Sequence, residues 1–304
     1  MKTNAPSATA NIVARNLAII AADEKTAHLV SSETARLNDL FVQNFSRGGS
    51  LFLKRARQKW FQRLFRLYER LTIPGLALHH ALRKSCIELA VRDALAANFA
   101  QVVILGGGLD TLALRLHKEF PGVSFIELDH PATQGIKRET IEKHNLADDN
   151  LTLIELDFNR QNLAETLAAH PKYLPQAKTI FVCEGVLMYL GNSEIEGVFQ
   201  FVKNQNDNSS RFVFTFMERG ETGKIEFKNS TTLVRIWLAL KKEPFRWGLR
   251  REALNDFLKT RRFVVRELAT AENLRERYLN QSKLNDLIAA SGENICVCEI
   301  VRGA

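Results

Sequence analysis

Four places in this chain set a chemically capable residue directly after an apolar run. VVIL (102–105) runs into Gly106, Gly107 and Gly108, VSFIEL into Asp129, LTLIEL into Asp157 and Phe158, and KTIFVC into Glu184, with Tyr189 five residues on. Glycine lets a backbone approach a ligand closely and adopt positive φ. Asp129 lies 23 residues past Gly106, the spacing at which an acid meets ribose hydroxyls in nucleotide folds. A carboxylate suits that task because it accepts two hydrogen bonds from a vicinal diol. Asp157, with the backbone N–H beside it, suits the amino edge of adenine, and Glu184 and Tyr189 would stand beside the reactive end of the nucleotide. Each residue also has a plainer reading. Asp110 would cap a helix starting at Thr111, Glu127 would be a paired charge, and Tyr189 would be a core residue with a satisfied hydroxyl.

The glycine run narrows the choice of nucleotide. A dinucleotide loop wants G-x-G-x-x-G, and here Thr111 stands in the third glycine's place. No G-x-x-x-x-G-K-S/T occurs, which removes the phosphate-binding loop of nucleotide triphosphatases. A nucleoside cofactor without a pyrophosphate fits better, and S-adenosyl-L-methionine is the expectation, with S-adenosyl-L-homocysteine as its product.

The elements that must hold these residues alternate. From residue 101 onward, apolar strand runs at 102–106, 123–129, 151–157, 178–185 and 211–217 are separated by helical patterns at 112–120, 133–145, 162–170 and 192–206. Strands at 263–268 and 294–301 and a helix at 251–260 follow. Such alternation predicts an α/β fold whose sheet of about seven strands is mostly parallel and covered by helices on both faces. Ligands of such a sheet sit at the carboxyl ends of its strands. Residues 1–98 read as an N-terminal helical cap, with helical stretches at about 11–45, 51–71 and 77–98. Residues 99–304 then form the cofactor domain, with a substrate-side insertion at about 218–250 containing Trp237, Phe245 and Trp247.

Composition sets the class. The chain has 304 residues, 45% hydrophobic and 25% charged, ordinary for a globular protein. No run approaches the ~20 apolar residues of a membrane helix, residues 1–25 do not read as a signal peptide, and the four cysteines form no C-x-x-C pair. A cytoplasmic setting without a bound metal is the expectation. The net charge of +8 is local: residues 51–71 hold seven Lys/Arg and one acid, Glu69. Leu53, Ala56, Trp60, Leu64, Leu67 and Leu71 recur there at three or four, predicting an apolar stripe with basic residues on the other face. That basic face would be solvated over the cofactor site, lie on an anionic membrane, or dock an acidic partner.

Taken in order, LGGGLDTLALRL, FIELDHPATQGIK, LIELDF, FVCEGVLMYL and EPFRWGL resemble the leucine carboxyl methyltransferase family, a branch of the S-adenosylmethionine-dependent methyltransferases that includes bacterial O-methyltransferases of polyketide pathways. The resemblance spans roughly residues 77–301. It implies a class I methyltransferase Rossmann-like fold with strand order 3-2-1-4-5-7-6 and an antiparallel last strand. It also implies that Gly106–Gly108 pack under the methionine part, Asp129 binds the ribose, and Asp157 and Phe158 frame the adenine. Arg83, in HHALRKSCIE, resembles the family's basic residue for the cofactor carboxylate, its plain reading being a solvated helix charge. Glu184 would lie near the cofactor's amino acid end. One departure is Leu112, where the family usually has an arginine after Asp-Thr.

Methyl transfer needs alignment above all. A carboxylate acceptor is ionised at neutral pH and needs no base, only a cationic clamp, for which Arg246, Arg250 and Arg251 are candidates. A hydroxyl acceptor needs a base within reach, and His79, His80, His130, Glu184 and Tyr189 are the possibilities. Tyr189 and Arg246 are therefore the catalytic candidates. The acceptor expected is a small molecule or peptide. Nucleic acid is disfavoured despite the basic charge, because the fourth strand ends in CEGVLMYL rather than the N/D-P-P-Y/F motif for base amines. A non-catalytic cofactor-binding module is the remaining alternative.

Overall fold

The computed structural model describes residues 5–158, 160–205, 210–230, 245–279, 284 and 286–301. Seven strands form one sheet: β1 (Gln101–Leu105), β2 (Ser124–Asp129), β3 (Leu151–Glu155), β4 (Thr179–Cys183), β5 (Arg211–Met217), β6 (Phe263–Ala269) and β7 (Glu293–Ile300). Their order is β3-β2-β1-β4-β5-β7-β6. β1 to β5 run parallel, and β7 runs antiparallel to both β5 and β6. This is the order that the family resemblance implies.

Every residue of β1 and β4 is buried, as the unbroken apolar runs require when helices cover both faces of a sheet. Side chains alternate along β1. Val102 and Ile104 enter one core with helices α1 (Ala8–Ala22), α2 (Ser32–Phe45), α5 (Leu76–Ala96) and α6 (Leu112–Glu119). Val103 and Leu105 enter the other, with helices Leu163–Ala168 and Asn192–Lys203. The helices before β1 therefore share a core with the sheet. All four cysteines are buried and unpaired.

Two helical expectations resolve differently. The stretch at 11–45 divides into α1 and α2, because Asp23 adopts an extended backbone and a 3-10 turn at Ala27–Leu29 follows. Ser7 and Ser31 cap the two helices by accepting from Ala10 N and Thr34 N, a common N-terminal signal. The stretch at 51–71 divides into α3 (Gly49–Ala56) and α4 (Lys59–Leu71). Leu53 and Ala56 are buried as expected, but Trp60, Leu64, Leu67 and Leu71 are exposed. Extended backbone at Gln58 breaks the helix. The restarted α4 turns Gln62 inward, where its Nε2 donates to Ala22 O at 3.1 Å and Ala56 O at 3.0 Å. A helix at Ala271–Tyr278, held by a Thr270/Asn273 capping box, is not announced by hydrophobic periodicity, since its sequence AENLRERY is mostly polar. Trp237 and the rest of 231–244 lie outside the described residues.

One buried ion pair ties β2 to α7 (Pro131–Lys143). Lys137 Nζ sits 2.5 Å from Glu127 Oε1, both side chains being 1% exposed. Lys137 also donates to Asp110 O at 2.5 Å and lies over the Phe41 ring of α2. Glu127 is thus the paired charge of its plainer reading. Burial pushes its carboxyl up to about 7, against the pull of Lys137. Removing one partner of such a pair leaves an uncompensated buried charge, a loss of about 3–5 kcal/mol. Lys137→Met is expected to lose that much stability in urea unfolding, and the double variant Glu127→Gln/Lys137→Met to recover most of it.

Candidate functional site

The site is built where β1, β2 and β4 end. After β1 the chain turns sharply, with φ of +75° at Gly106 and +55° at Gly108. Gly106 N and Gly107 N both donate to Leu128 O, at 2.7 and 3.2 Å, so the loop is pinned to the end of β2. A Cβ at Gly106 would strike Val186, one at Gly107 the Glu127 carboxyl, and one at Gly108 would come within 3.2 Å of the Ala10 Cβ. Glycine is required here by contact as well as by backbone angle. The first turn of α1 roofs this loop: Ser7 N donates to Thr133 Oγ1 at 2.9 Å, and Thr9 Oγ1 lies 3.4 Å from the Tyr189 hydroxyl.

Asp129 ends β2 and is nearly buried. Its Oδ2 accepts from Gly108 N, and its Oδ1 from His130 N at 2.5 Å. Burial raises its pKa, which these backbone donors oppose. Each carboxylate oxygen has a second lone pair, so the anchored carboxylate can still accept from a diol. Asp157 and Phe158 follow β3. Asp157 Oδ2 lies 3.8 Å from His130 Nε2 and 3.6 Å from Arg160 Nε, and Phe158 packs on the second core.

The methionine-side candidates meet in a chain of buried charges. Arg83, on α5, donates from Nε to Glu184 Oε1 at 2.7 Å and from Nη1 to Glu293 Oε2 at 2.6 Å. Its Nη2 lies beside Gly185. Lys84 bridges Glu184 Oε2 at 3.0 Å and Asp110 Oδ2 at 2.9 Å. His79 Nε2 lies 2.9 Å from Glu293 Oε2. Arg83 is therefore a buried, doubly paired cation rather than a solvated helix charge. Desolvation opposes its charge, but Glu293 and Glu184 hold its pKa above the usual arginine value. Asp110 holds the start of α6, its Oδ1 accepting from Thr111 N at 2.6 Å and Leu112 N at 3.2 Å, and its Oδ2 also meets Lys84. The absence of arginine at Leu112 does not leave Asp110 unpaired, because Lys84 supplies the cation. Leu112 is buried and lines a cavity of about 330 Å³ that Lys84, Asp110 and Glu184 also line.

Tyr189 and Arg246 lie on a candidate acceptor side. Tyr189 ends a 3-10 turn, and its ring packs on Phe245 at 5.7 Å. Around them Met188, Met217, Phe227, Ile73 and Leu76 form a separate apolar cluster. Arg246 N donates to Met188 O at 2.7 Å, while its exposed guanidinium lies beside Gly191 and Glu194. The structure thus brings Tyr189 against the roof of the glycine loop and leaves Arg246 at the rim. Lys84, Glu293 and Thr9 are site-forming residues that the sequence reading did not single out. Lys84 was signalled by its place beside Arg83. Glu293 was hidden because only the carboxyl ends of parallel strands were read, whereas antiparallel β7 brings its first residue to that same edge, opposite Met217.

A sequence profile of the leucine carboxyl methyltransferase family matches residues 18–203. The chain belongs to that family. A Bacillus subtilis relative named as an S-adenosyl-L-methionine-dependent methyltransferase, YktD, is 24% identical over 67% of this chain and 66% of its own. A Mycobacteroides abscessus relative of the same description is 27% identical over 77% of this chain and 76% of its own. Two further matches in that organism cover only 36% and 47% of the relatives' length. A solved structure from Thermobifida fusca, named as a methyltransferase, aligns with a TM-score of 0.59 at 17% identity, covering 88% of this chain and 94% of that one. At that identity the likeness speaks to the fold alone. Among the described residues of this family member, no helix is long and apolar enough to cross a membrane.

The Asp110–Lys84 contact gives the site a pH signature. Burial alone would raise the Asp110 pKa, but Lys84 and then Lys137 hold it down to about 2, below the ordinary 3.8. A depressed carboxylate stabilises the fold above its unfolded pKa and loses that contribution as pH falls through the folded one. The contribution should be complete above pH 3.8 and lost toward pH 2. Lys84→Met is expected to lower stability at pH 7 by about 2 kcal/mol and to move acid unfolding to higher pH, as read by guanidinium unfolding across pH 3–7.

Proposed function

We propose that this protein transfers the methyl group of S-adenosyl-L-methionine to an oxygen of a small-molecule or peptide acceptor, and that the acceptor oxygen is a carboxylate. The observation that carries the cofactor assignment is the juxtaposition of the Gly106–Gly108 cradle, the anchored Asp129 carboxylate and the Arg83 charge chain at one sheet edge. Gly106–Gly108 leave room for close approach, Asp129 retains lone pairs for the ribose, and Arg83 Nη2 lies beside Gly185, where we place the cofactor carboxylate. Two cations, Arg83 and Lys84, face three anions, Asp110, Glu184 and Glu293. That excess of negative charge complements a cofactor carrying one ammonium, one sulfonium and one carboxylate. The bound cofactor supplies an activated methyl group, and the protein's work is to orient it and exclude water.

The preference for a carboxylate rests on what the candidate bases are doing. His79 is fully buried against Glu293. His80 is buried against Asn16, and burial pushes its pKa well down. His130 caps α7 by accepting from Ala132 N. Glu184 is held by Arg83 and Lys84. None of these four is placed to take a proton from an acceptor hydroxyl; the fifth candidate, Tyr189, has its hydroxyl 3.4 Å from Thr9 Oγ1, and a carboxylate needs no base at all. Arg246, at the rim beside Phe245 and Tyr189, is the proposed clamp for that carboxylate. The aromatic cluster behind it suits an apolar or aromatic acceptor body.

Titration calorimetry should show S-adenosyl-L-homocysteine binding to the pure protein, weakened roughly 10–100-fold by Asp129→Asn. Absence of binding at high micromolar ligand would remove the methyltransferase reading. In a lysate labelled with radioactive cofactor, mild base is expected to release the label as from a methyl ester. Label retained as ether or N-methyl would contradict the carboxylate. Arg246→Met is expected to raise the acceptor KM roughly tenfold or more while leaving homocysteine-cofactor binding unchanged.

A further inference from the structure

Helix α4 shows the solvent the side it would ordinarily bury. Trp60, Leu64, Leu67, Tyr68 and Leu71 are each more than half exposed. At 3.6 residues per turn they fall within a sector of about 100° and form a ridge about 16 Å long. The body of the protein takes a different face, through Phe65 and Gln62. Lys59, Arg63, Arg66 and Arg70 share a sector that adjoins the apolar ridge along one side. Glu69, the single acid of 51–71, points inward, where its Oε1 accepts from Ala77 N at 2.8 Å. Arg66 pairs with Asp23 at 2.8 Å, and Lys59 lies 3.9 Å from Glu24. Among the described residues, Lys54, Arg55, Arg63 and Arg70 make no ion pair.

Scattered exposed apolar residues are normal, but a contiguous apolar stripe with a charged rim marks a docking face. We propose that α4 seats the protein on an anionic lipid surface, its ridge entering the headgroup boundary and its basic edge meeting lipid phosphates. Charge and shape favour this occupant. Two copies paired antiparallel through this face would bring two like-charged edges together, whereas an anionic bilayer complements the basic edge in any orientation. The ridge has Trp60 near one end and Tyr68 near the other, the two side chains that favour the bilayer–water boundary. A strongly amphipathic basic helix with Trp and Leu on its apolar face is the form that binds in the plane of the interface. The helix leads through Ile73 into the apolar cluster that holds Tyr189 and Phe245, so a bilayer beneath α4 would lie next to the acceptor side. Binding itself does not depend on the methyltransferase reading.

Vesicle flotation of the full chain tests it. Binding is expected to vesicles of phosphatidylcholine mixed with phosphatidylglycerol, to be far weaker on phosphatidylcholine alone, and to fade at high salt. Leu64→Glu/Leu67→Glu is expected to abolish flotation with little change in thermal midpoint, since both side chains are exposed. Arg63→Gln/Arg70→Gln is expected to weaken binding to the anionic vesicles roughly 30-fold. Failure to float with anionic vesicles overturns the proposal, as does binding that survives Leu64→Glu/Leu67→Glu. A dimer that the same double variant dissolves, without vesicle binding, would assign the face to a second copy. A large drop in its thermal midpoint would assign the face to the protein's own interior, and either result overturns the lipid assignment.

Discussion

A guanidinium buried between two carboxylates organises the strand edge of this protein. Arg83 joins α5 to the residue after β4 and to the first residue of β7. Those three elements are far apart in sequence and meet only because β7 reverses direction within the sheet. Burying such charges is costly unless all are paired and hydrogen-bonded. Lys84 completes the arrangement by linking Glu184 to Asp110, and Asp110 in turn fixes the start of α6 and thereby the exit of the glycine loop. Glu293 is held strongly ionised, Arg83 and His79 outweighing its burial. The site is therefore set by a continuous chain of contacts running from β7 to the glycine loop.

This constraint separates two tasks. The proposed cofactor side is charged, built from residues that pair with one another. The proposed acceptor side is apolar and aromatic, built by Tyr189, Phe245 and their neighbours, with the exposed Arg246 at its rim. Methyl transfer gains most from holding two reactants in line, and the proposed charged cofactor seat beside a proposed apolar acceptor seat suits that need. The short roof formed by Ser7, Thr9 and Ala10 touches both sides.

Much of this was legible in the sequence because the physics was local. Unbroken apolar runs at 102–105 and 179–183 announced buried parallel strands, and the residue after each run landed at the carboxyl edge. Gly106, Asp129 and Glu184 were placed at that edge by that rule alone. What stayed hidden depended on contacts between distant segments. Glu293 stands at the start of its strand and reaches the site only through the sheet's reversal. Lys137 carries no signal in the local pattern that sets it apart, yet it lies wholly inside against Glu127. The orientation of α4 was open in the sequence because periodicity tells which residues share a face, not which face turns inward. The break at Gln58 decided that.

The central claim is that the Arg83 chain and the glycine loop together seat S-adenosyl-L-methionine. A crystal structure of the protein with S-adenosyl-L-homocysteine tests it most directly. The account predicts ribose hydroxyls on Asp129, the amino acid part against Gly106–Gly108, and Arg83 still clamped by Glu184 and Glu293 with its Nη2 toward the ligand carboxylate. A ligand bound elsewhere, or Arg83 released from both glutamates in the complex, would contradict it.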